Sequence, residues 1–260
     1  MKSGHVNANG LRMYYEIHGE GRPLVLLHGA LSGIGSSFGR YIPELARTRQ
    51  VIGLEMQAHG HTLDIDRPLR IHTMAEDTVA ALRELGIEQV DLFGYSMGAG
   101  IALEVAIRHP DLVRKLVVAS LTFNKAGFHP GLMEGLAQLQ VEHLSGSPWQ
   151  LEYASVAPHP EAWPALVAKV KDMNFNVPDW SEAQIRSLQP PTLIAAGDSD
   201  VVPEHAALMF RLLGGGVFGD TPAGLPRSRL AILPGTSHTM MVDRAEMLLP
   251  MLSVFLDATP

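Results

Sequence analysis

The sequence predicts an α/β protein in which a mostly parallel central sheet carries helices on both faces and receives a helical insertion. Short apolar runs, typical of strands buried on both faces, alternate along the chain with segments of helical periodicity. The alternation stops near Leu121 and resumes near Pro191, and the segment between them is helical in pattern and rich in aromatic residues. Alternating strands and helices imply right-handed crossovers and therefore a parallel sheet.

The 260 residues suffice for one such domain. We expect residues 1–120 to form the first part of an α/β core and residues 191–260 to form the second part. Residues 121–190 form the predicted helical cap, which need not fold as an independent domain.

The elements follow in chain order. Residues 5–8 and 11–19 flank an Asn9-Gly10 pair and predict a β-hairpin. The later strand candidates are apolar runs at 24–29, 50–56, 90–94, 115–120, 192–196 and 229–235. The predicted core helices are 38–47, 73–86 with a threonine cap, 97–108, 204–213 and 244–256. The cap has helix candidates at 131–144 and 161–173, and the glycine- and proline-rich stretch 214–226 predicts a loop.

Composition narrows the functional classes. The net charge of −7 and the absence of a basic run argue against a nucleic-acid partner. The chain has no cysteine, which excludes disulfides, thiolate metal sites and a cysteine nucleophile. No run approaches 18 uninterrupted apolar residues, and the N-terminal segment lacks the apolar core of a signal peptide. We therefore predict a cytoplasmic protein without a membrane span.

The stretch GYSMGAG, residues 94–100, lies where a predicted strand meets a predicted helix. A serine at such a turn is held in a strained backbone conformation, which requires small residues two positions before and after it, here Gly94 and Gly98. We expect Gly100 to let the helix lie close to the sheet. The turn also directs free N–H groups of the first helical turn toward whatever the hydroxyl attacks. Ser96 is therefore the candidate nucleophile.

A serine nucleophile needs a base and a group that orients the base. Asp198 and Asp200 follow the strand at 192–196, and His238 follows the last strand. The carboxyl ends of these parallel strands share one edge of the sheet, where open α/β folds build their sites. The pattern predicts a Ser–Asp–His triad and leaves either aspartate as its acid.

With these motifs the chain resembles the α/β-hydrolase fold family, as a serine esterase-like member with a helical cap, over essentially its whole length. GDSDVVP resembles the acid loop of that family, in which the acid usually lies three residues after the glycine, and this implies Asp200, with Asp198 as the alternative. GTSH resembles the histidine loop and implies His238. The His28-Gly29 pair resembles the family's HG signature, which implies an oxyanion hole formed by the N–H groups of Ala30 and Met97.

The resemblance implies no cofactor. His28 is expected to be mainly a structural, hydrogen-bonded residue. It is also included among the candidates for the substrate pocket, which are His28, Tyr95, Phe123, Trp149, Trp163, Met240 and Met241. His59 and His61 invite a metal interpretation, but no third ligand lies nearby in sequence, and a structural role is favoured. Glu55 and Ala58 depart from the aspartate and glycine common in relatives, so the loop there is expected to differ in shape.

Serine at position 96, in place of aspartate, argues against dehalogenase and epoxide-hydrolase chemistry. It favours acyl transfer on small or medium apolar acyl or aryl esters through an acyl-enzyme. Lactones and thioesters, perhydrolase or cofactor-free haloperoxidase chemistry and C–C bond hydrolysis remain open alternatives on the same triad. A ligand-binding receptor built on the same scaffold is the alternative from another class.

Overall fold

The computed structural model describes residues 1–222 and 224–258. In this part of the chain, eight strands form one sheet in the order β1-β2-β4-β3-β5-β6-β7-β8. The strands are β1 (Lys2–Ala8), β2 (Leu11–His18), β3 (Arg22–Leu27), β4 (Arg49–Leu54), β5 (Val90–Tyr95), β6 (Val113–Ala119), β7 (Thr192–Ser199) and β8 (Arg229–Ser237). Strand β2 pairs antiparallel with β1 and with β4. The strands β3 to β8 are parallel to one another. The predicted α/β class and mostly parallel sheet are confirmed.

Helices cover both faces of this sheet. They are α1 (Ile34–Phe38), α2 (Ile42–Leu45), α3 (Ile71–Glu84), α4 (Met97–Arg108), α5 (Leu132–Ala137), α6 (Pro148–Val156), α7 (Trp163–Phe175), α8 (Glu182–Arg186), α9 (Pro203–Leu212) and α10 (Ala245–Asp257). Short 3₁₀ turns lie between several of them.

Two apolar cores lie on opposite faces of the sheet, as the alternation along β3 shows. Val25 and Leu27 belong to the core that contains α3, α4, α9 and the helices between β6 and β7. Leu24 and Leu26 belong to the core that contains α1, α2 and α10. Successive side chains of a strand point to opposite faces, so a strand between two layers is apolar throughout.

Some predicted elements differ from the observed ones. The helix expected at 38–47 is two short helices, and Pro43 lies in the first turn of α2, the position in a helix where a missing N–H is tolerated. Helix α3 begins at Ile71, so Thr73 lies inside the helix and does not cap it. The helix expected at 131–144 is only α5 followed by a 3₁₀ turn. Helix α6 was not predicted, because its apolar residues do not form one buried stripe.

The loop at 214–226 contains no regular helix or strand in its described residues, and Ala223 lies outside them. Among the residues that the structure describes, no helix has the length and apolar character required to cross a bilayer.

Candidate active site

Ser96 occupies a sharp turn between β5 and α4. Its φ of 54° and ψ of −117° lie in a region that non-glycine residues rarely adopt. A Cβ on Gly94 would lie 2.1 Å from the carbonyl oxygen of Gly98, and a Cβ on Gly98 would lie 1.9 Å from that of Leu27. Both glycines are therefore required by close backbone approach, as the motif predicts.

Gly100 has a different environment from the one expected. The atoms nearest to a Cβ there belong to the side chains of Ile71 and Trp180, at ordinary contact distances of 3.5 Å and more. It therefore faces α3 and the segment before α8, and the approach of α4 to the sheet does not depend on it.

The structure brings Ser96, His238 and Asp200 together. The Ser96 Oγ lies 2.8 Å from Nε2 of His238, and Nδ1 of the same ring lies 2.7 Å from Oδ1 of Asp200. An ionised carboxylate only accepts hydrogen bonds, so Nδ1 carries the proton and the Nε2 lone pair faces the serine hydroxyl. The Asp200 side chain is fully buried, whereas that of His238 is 47 % exposed. The acid of this arrangement is therefore buried, and the imidazole is partly exposed to solvent.

Asp198 points away from this arrangement. Its carboxylate accepts the N–H groups of Gly235 at 2.8 Å and Thr236 at 3.1 Å, which ties the end of β7 to β8. These two backbone donors lower the pKa of Asp198 below its ordinary value. Of the two aspartates left open by the sequence, Asp200 is the one that meets the histidine.

Two backbone N–H groups are available near the turn that carries Ser96. Ala30 follows the end of β3, and Met97 is the first residue of α4. Neither N–H donates to an acceptor within residues 1–222 and 224–258. The two N–H groups that the sequence names as oxyanion donors are therefore not consumed by a protein acceptor in this part of the chain.

Two buried histidines support the loops on this side of the site. Met56 N–H donates to Nε2 of His28, and Nδ1–H of His28 donates to the Gly29 carbonyl. Leu31 N–H donates to Nε2 of His59 at 3.1 Å. Burial lowers the pKa of His28, and burial together with the nearby His28 lowers the pKa of His59 to about 3. Both rings are therefore neutral, and each uses a fixed tautomer.

His28 does not line a pocket, contrary to one of the expectations, because its side chain is fully buried and both ring nitrogens are bonded. His61 lies against Glu55, with Nδ1 2.9 Å from a carboxylate oxygen. The Glu55 carboxylate thus holds the backbone N–H and the ring of His61 in this loop. In the described part of the chain, no group of three or more acidic or imidazole side chains is placed to hold a metal ion.

The remaining pocket candidates are placed differently from one another. Phe123 is fully buried and stacks on His205 with ring centroids 4.2 Å apart, and Met241 is buried in the core of α1, α2 and α10. Both are core residues, so the pocket expectation does not hold for them. Trp163 is also buried, packs 5.3 Å from Tyr153, and has an indole N–H without a partner in the described residues.

The last three candidates for the substrate pocket are Tyr95, Trp149 and Met240. The Tyr95 hydroxyl donates to the His238 carbonyl at 2.9 Å, so Tyr95 helps to hold the backbone at His238 in place. Trp149 is half-buried against the core that includes the helices between β6 and β7. Met240, two residues after His238, is 39 % exposed and remains a candidate for substrate contact.

Glu152 on α6 was missed by the sequence analysis. Its carboxylate accepts the N–H groups of Gly33 at 2.9 Å and Ser36 at 2.8 Å, in the loop and helix that follow β3. The partners lie 119 and 116 residues away in the chain, so no local signal identifies the contact.

Comparison with known proteins identifies the family. A family model described as alpha/beta hydrolase fold matches residues 22–244. The chain is 31 % identical over 222 residues to a 2-hydroxymuconate semialdehyde hydrolase of Pseudomonas sp. (strain CF600), an alignment that covers 77 % of this chain and 78 % of the relative. It is 29 % identical over 243 residues to a 2-hydroxy-6-oxo-2,4-heptadienoate hydrolase of Pseudomonas putida (strain F1). That alignment covers 80 % of this chain and 83 % of the relative.

The fold is similar to that of an enol-lactonase from Burkholderia xenovorans LB400, with a TM-score of 0.74 and 16 % identity over 98 % of this chain and all of the other. At this identity the likeness concerns the fold alone. The matched family model, the sheet order and the relatives agree, and the chain is a hydrolase that belongs to the α/β-hydrolase fold family.

Proposed function

We propose that the protein is a serine hydrolase that cleaves carboxylic esters of small to medium apolar acyl or aryl groups through an acyl-enzyme. The observation that carries the proposal is the continuous hydrogen-bonded path from Ser96 through His238 to the buried Asp200. It is the geometry required of a nucleophile, a general base and a group that orients the base.

In the acylation step, His238 Nε2 accepts the Ser96 proton as Oγ attacks the substrate carbonyl carbon. The carbonyl oxygen becomes an oxyanion that the N–H groups of Ala30 and Met97 stabilise. Asp200 holds the Nδ1 proton and stabilises the imidazolium that forms. The tetrahedral intermediate then collapses, and Nε2–H protonates the departing alkoxide.

In the deacylation step, water enters and gives a proton to His238 Nε2 while its oxygen attacks the acyl carbon. A second tetrahedral oxyanion forms in the same pair of N–H groups. Its collapse returns the proton to Ser96 and releases the carboxylic acid. The 47 % exposure of the His238 side chain is consistent with access of water to Nε2.

A second candidate function is C–C bond hydrolysis on the same residues. Two relatives are named as hydrolases of 2-hydroxymuconate semialdehyde and of 2-hydroxy-6-oxo-2,4-heptadienoate, which are conjugated oxo compounds. A carboxylate-bearing substrate calls for a cation in the cap. Of the four lysine and arginine side chains of the cap, three are engaged within the protein: Lys169 with Asp64, Arg186 with Glu182, and Lys171 with the Leu139 carbonyl. The fourth, Lys125, is exposed. We therefore place ester hydrolysis first.

The test is a substrate panel assayed with the protein, with Ser96→Ala and with Ser187→Ala as the matched control. The panel contains short- and long-chain p-nitrophenyl esters, aryl esters, lactones, thioesters and a 2-hydroxy-6-oxo-dienoate. Ser96→Ala should lower turnover of every true substrate by at least about a thousandfold. The exposed hydroxyl of Ser187 donates only to the Gln184 carbonyl, so Ser187→Ala should leave the turnover of every substrate unchanged.

Each outcome decides between the candidates. A preference for short acyl or aryl esters supports the proposal, whereas a kcat/KM for the dienoate far above that of any ester supports C–C bond hydrolysis. Stoichiometric acylation of Ser96 without further turnover favours a receptor. Activity of Ser96→Ala within tenfold of the parent contradicts a serine mechanism altogether.

A further inference from the structure

The side chain of Glu152 crosses from the segment between β6 and β7 to the loop that follows β3. It extends from α6 and accepts the N–H groups of Gly33 and Ser36 at 2.9 and 2.8 Å. It also accepts a short hydrogen bond from the Ser36 hydroxyl. Charge-assisted hydrogen bonds of this kind are stronger than neutral ones. Three donors on one carboxylate make this a specific attachment between two distant parts of the chain.

The surface that receives Glu152 is shaped for it. A Cβ on Gly35 would lie 2.7 Å from Oε1 of Glu152 and 3.8 Å from its Cδ, and would meet no other atom within 4 Å. A Cβ on Gly33 would lie 3.1 Å from the same carboxylate. The absence of a side chain at position 35 therefore leaves room for this carboxylate in particular.

The attachment point adjoins the candidate oxyanion hole. In the loop 29–33, Gly29 N–H donates to Oγ of Ser37 at 3.3 Å, and Leu31 N–H donates to His59. Gly33 N–H donates to Glu152 at 2.9 Å and also to Oγ of Ser36 at 3.1 Å, whereas the N–H groups of Ala30 and Ser32 have no acceptor in the described residues. The amides on both sides of Ala30 are thus held by protein groups, and the anchor at Gly33 comes from α6.

Leu31 makes the loop sensitive to that anchor. Its φ of 64° lies in the left-handed region, which a leucine adopts only when its surroundings impose it. Without the Glu152 carboxylate, the Gly33 N–H keeps only Oγ of Ser36, which itself loses its bonds to Glu152. The restraint on the Leu31 conformation then weakens, and the direction of the Ala30 N–H changes with it.

We propose that Glu152 is a positioning residue that holds the loop 29–33 so that the Ala30 N–H points at the developing oxyanion. The inference rests on the function proposed above. Because α6 carries the carboxylate, the oxyanion hole is complete only when α6 is docked on the loop. Preorganised donors stabilise mainly the transition state. Loss of the Glu152 contact should therefore lower kcat and leave KM nearly unchanged.

The test is a double-mutant cycle between Glu152→Ala and Gly35→Ala, assayed on the best substrate of the panel. Glu152→Ala removes the carboxylate, and Gly35→Ala displaces it from the other side. Each should lower kcat by about tenfold to a hundredfold, as expected for a small misplacement of a catalytic group, with KM within about threefold. In the Glu152→Ala background the methyl group at position 35 meets nothing, so the double variant should be no slower than the slower single variant.

Two controls separate positioning from a general loss of structure. Glu134→Ala removes an exposed glutamate from α5 and should leave kcat unchanged. The pH profile of kcat should keep its shape in all variants, since the contact between His238 and Asp200 is untouched. If Glu152→Ala does not fold, Glu152→Gln keeps the side-chain length and should show an intermediate loss of kcat.

A kcat of Glu152→Ala within twofold of the parent would overturn the inference, as would multiplicative losses in the double variant or a loss confined to KM. These results differ from failure of the proposed function, which would appear as full activity in Ser96→Ala.

Discussion

Asp198 and Asp200 lie two residues apart, yet their carboxylates have opposite surroundings. Asp200 is buried against Nδ1 of His238, while the Asp198 carboxylate accepts two backbone N–H groups from the end of β8. Asp200→Asn should lower kcat by about ten-thousandfold, because an amide that donates to the ring favours the wrong tautomer. Steady-state kinetics on the best ester measure this.

The matched control is Asp198→Asn. It should lower the melting temperature, because a neutral amide is a weaker acceptor for the Gly235 and Thr236 N–H groups, and it should leave kcat within about threefold. The reverse pattern, with activity lost in Asp198→Asn and kept in Asp200→Asn, would mean that the aspartates exchange roles.

At the scale of elements, the loop after β4 supports the loop after β3 through neutral His28 and His59. Because the pKa of His59 is lowered to about 3 in the folded state, from about 6.5 in the unfolded chain, the unfolded chain binds more protons below pH 6.5. His59 therefore stabilises the fold less as the pH falls from about 6.5 toward 3.

His59→Gln tests this claim. The glutamine amide can accept the Leu31 N–H and donate to the Gln57 carbonyl, as the histidine does, but it does not titrate. Between pH 6.5 and 5.5 the unfolding free energy of the variant should fall by roughly 1 kcal/mol less than that of the parent, measured by urea titration. Parallel pH dependences would contradict a buried neutral histidine at position 59.

At the scale of the whole molecule, the helices between β6 and β7 share one apolar core with the sheet. Trp163, Leu166 and Val170 pack in the same cluster as Val25 and Leu27 of β3. All three tryptophans of the chain, Trp149, Trp163 and Trp180, lie in this segment. Tryptophan fluorescence therefore reports on the segment and on its contact with α4, where the Trp180 indole N–H donates to Glu104 at 2.7 Å. Its urea midpoint should coincide with that of far-UV circular dichroism, as a single cooperative unit requires. A fluorescence transition at lower urea would show that the segment unfolds separately.

The parts of this molecule that local signals determine could be predicted from sequence. The strand-turn-helix at Ser96 is specified by an apolar run, two glycines and a helix within 20 residues, and the ends of β7 and β8 follow from the same alternation. The spacing of the acid loop favoured Asp200 over Asp198, and the contact of Asp200 with His238, together with the bonds of Asp198 to Gly235 and Thr236, distinguishes the two in the structure.

What could not be predicted depends on contacts between distant residues. Met241 is apolar and adjacent to the site in sequence, but its side chain is buried in the core that contains α1, α2 and α10. Helix α6 buries few of its side chains and has no apolar stripe, and its Glu152 contacts residues more than 100 positions away. The residue pattern identified the segment between β6 and β7 as helical without giving the directions in which its side chains point.

The most direct measurement of the central claim is the site of reaction with a small aryl phosphonate ester, located by peptide mass spectrometry. The hydroxyl aligned with His238 should attack phosphorus and displace the aryl oxide, leaving one phosphonyl group on Ser96. The same adduct should be absent from Ser96→Ala and should form at least about a hundredfold more slowly in His238→Ala. Modification of a different residue, or an equal rate in His238→Ala, would contradict the account.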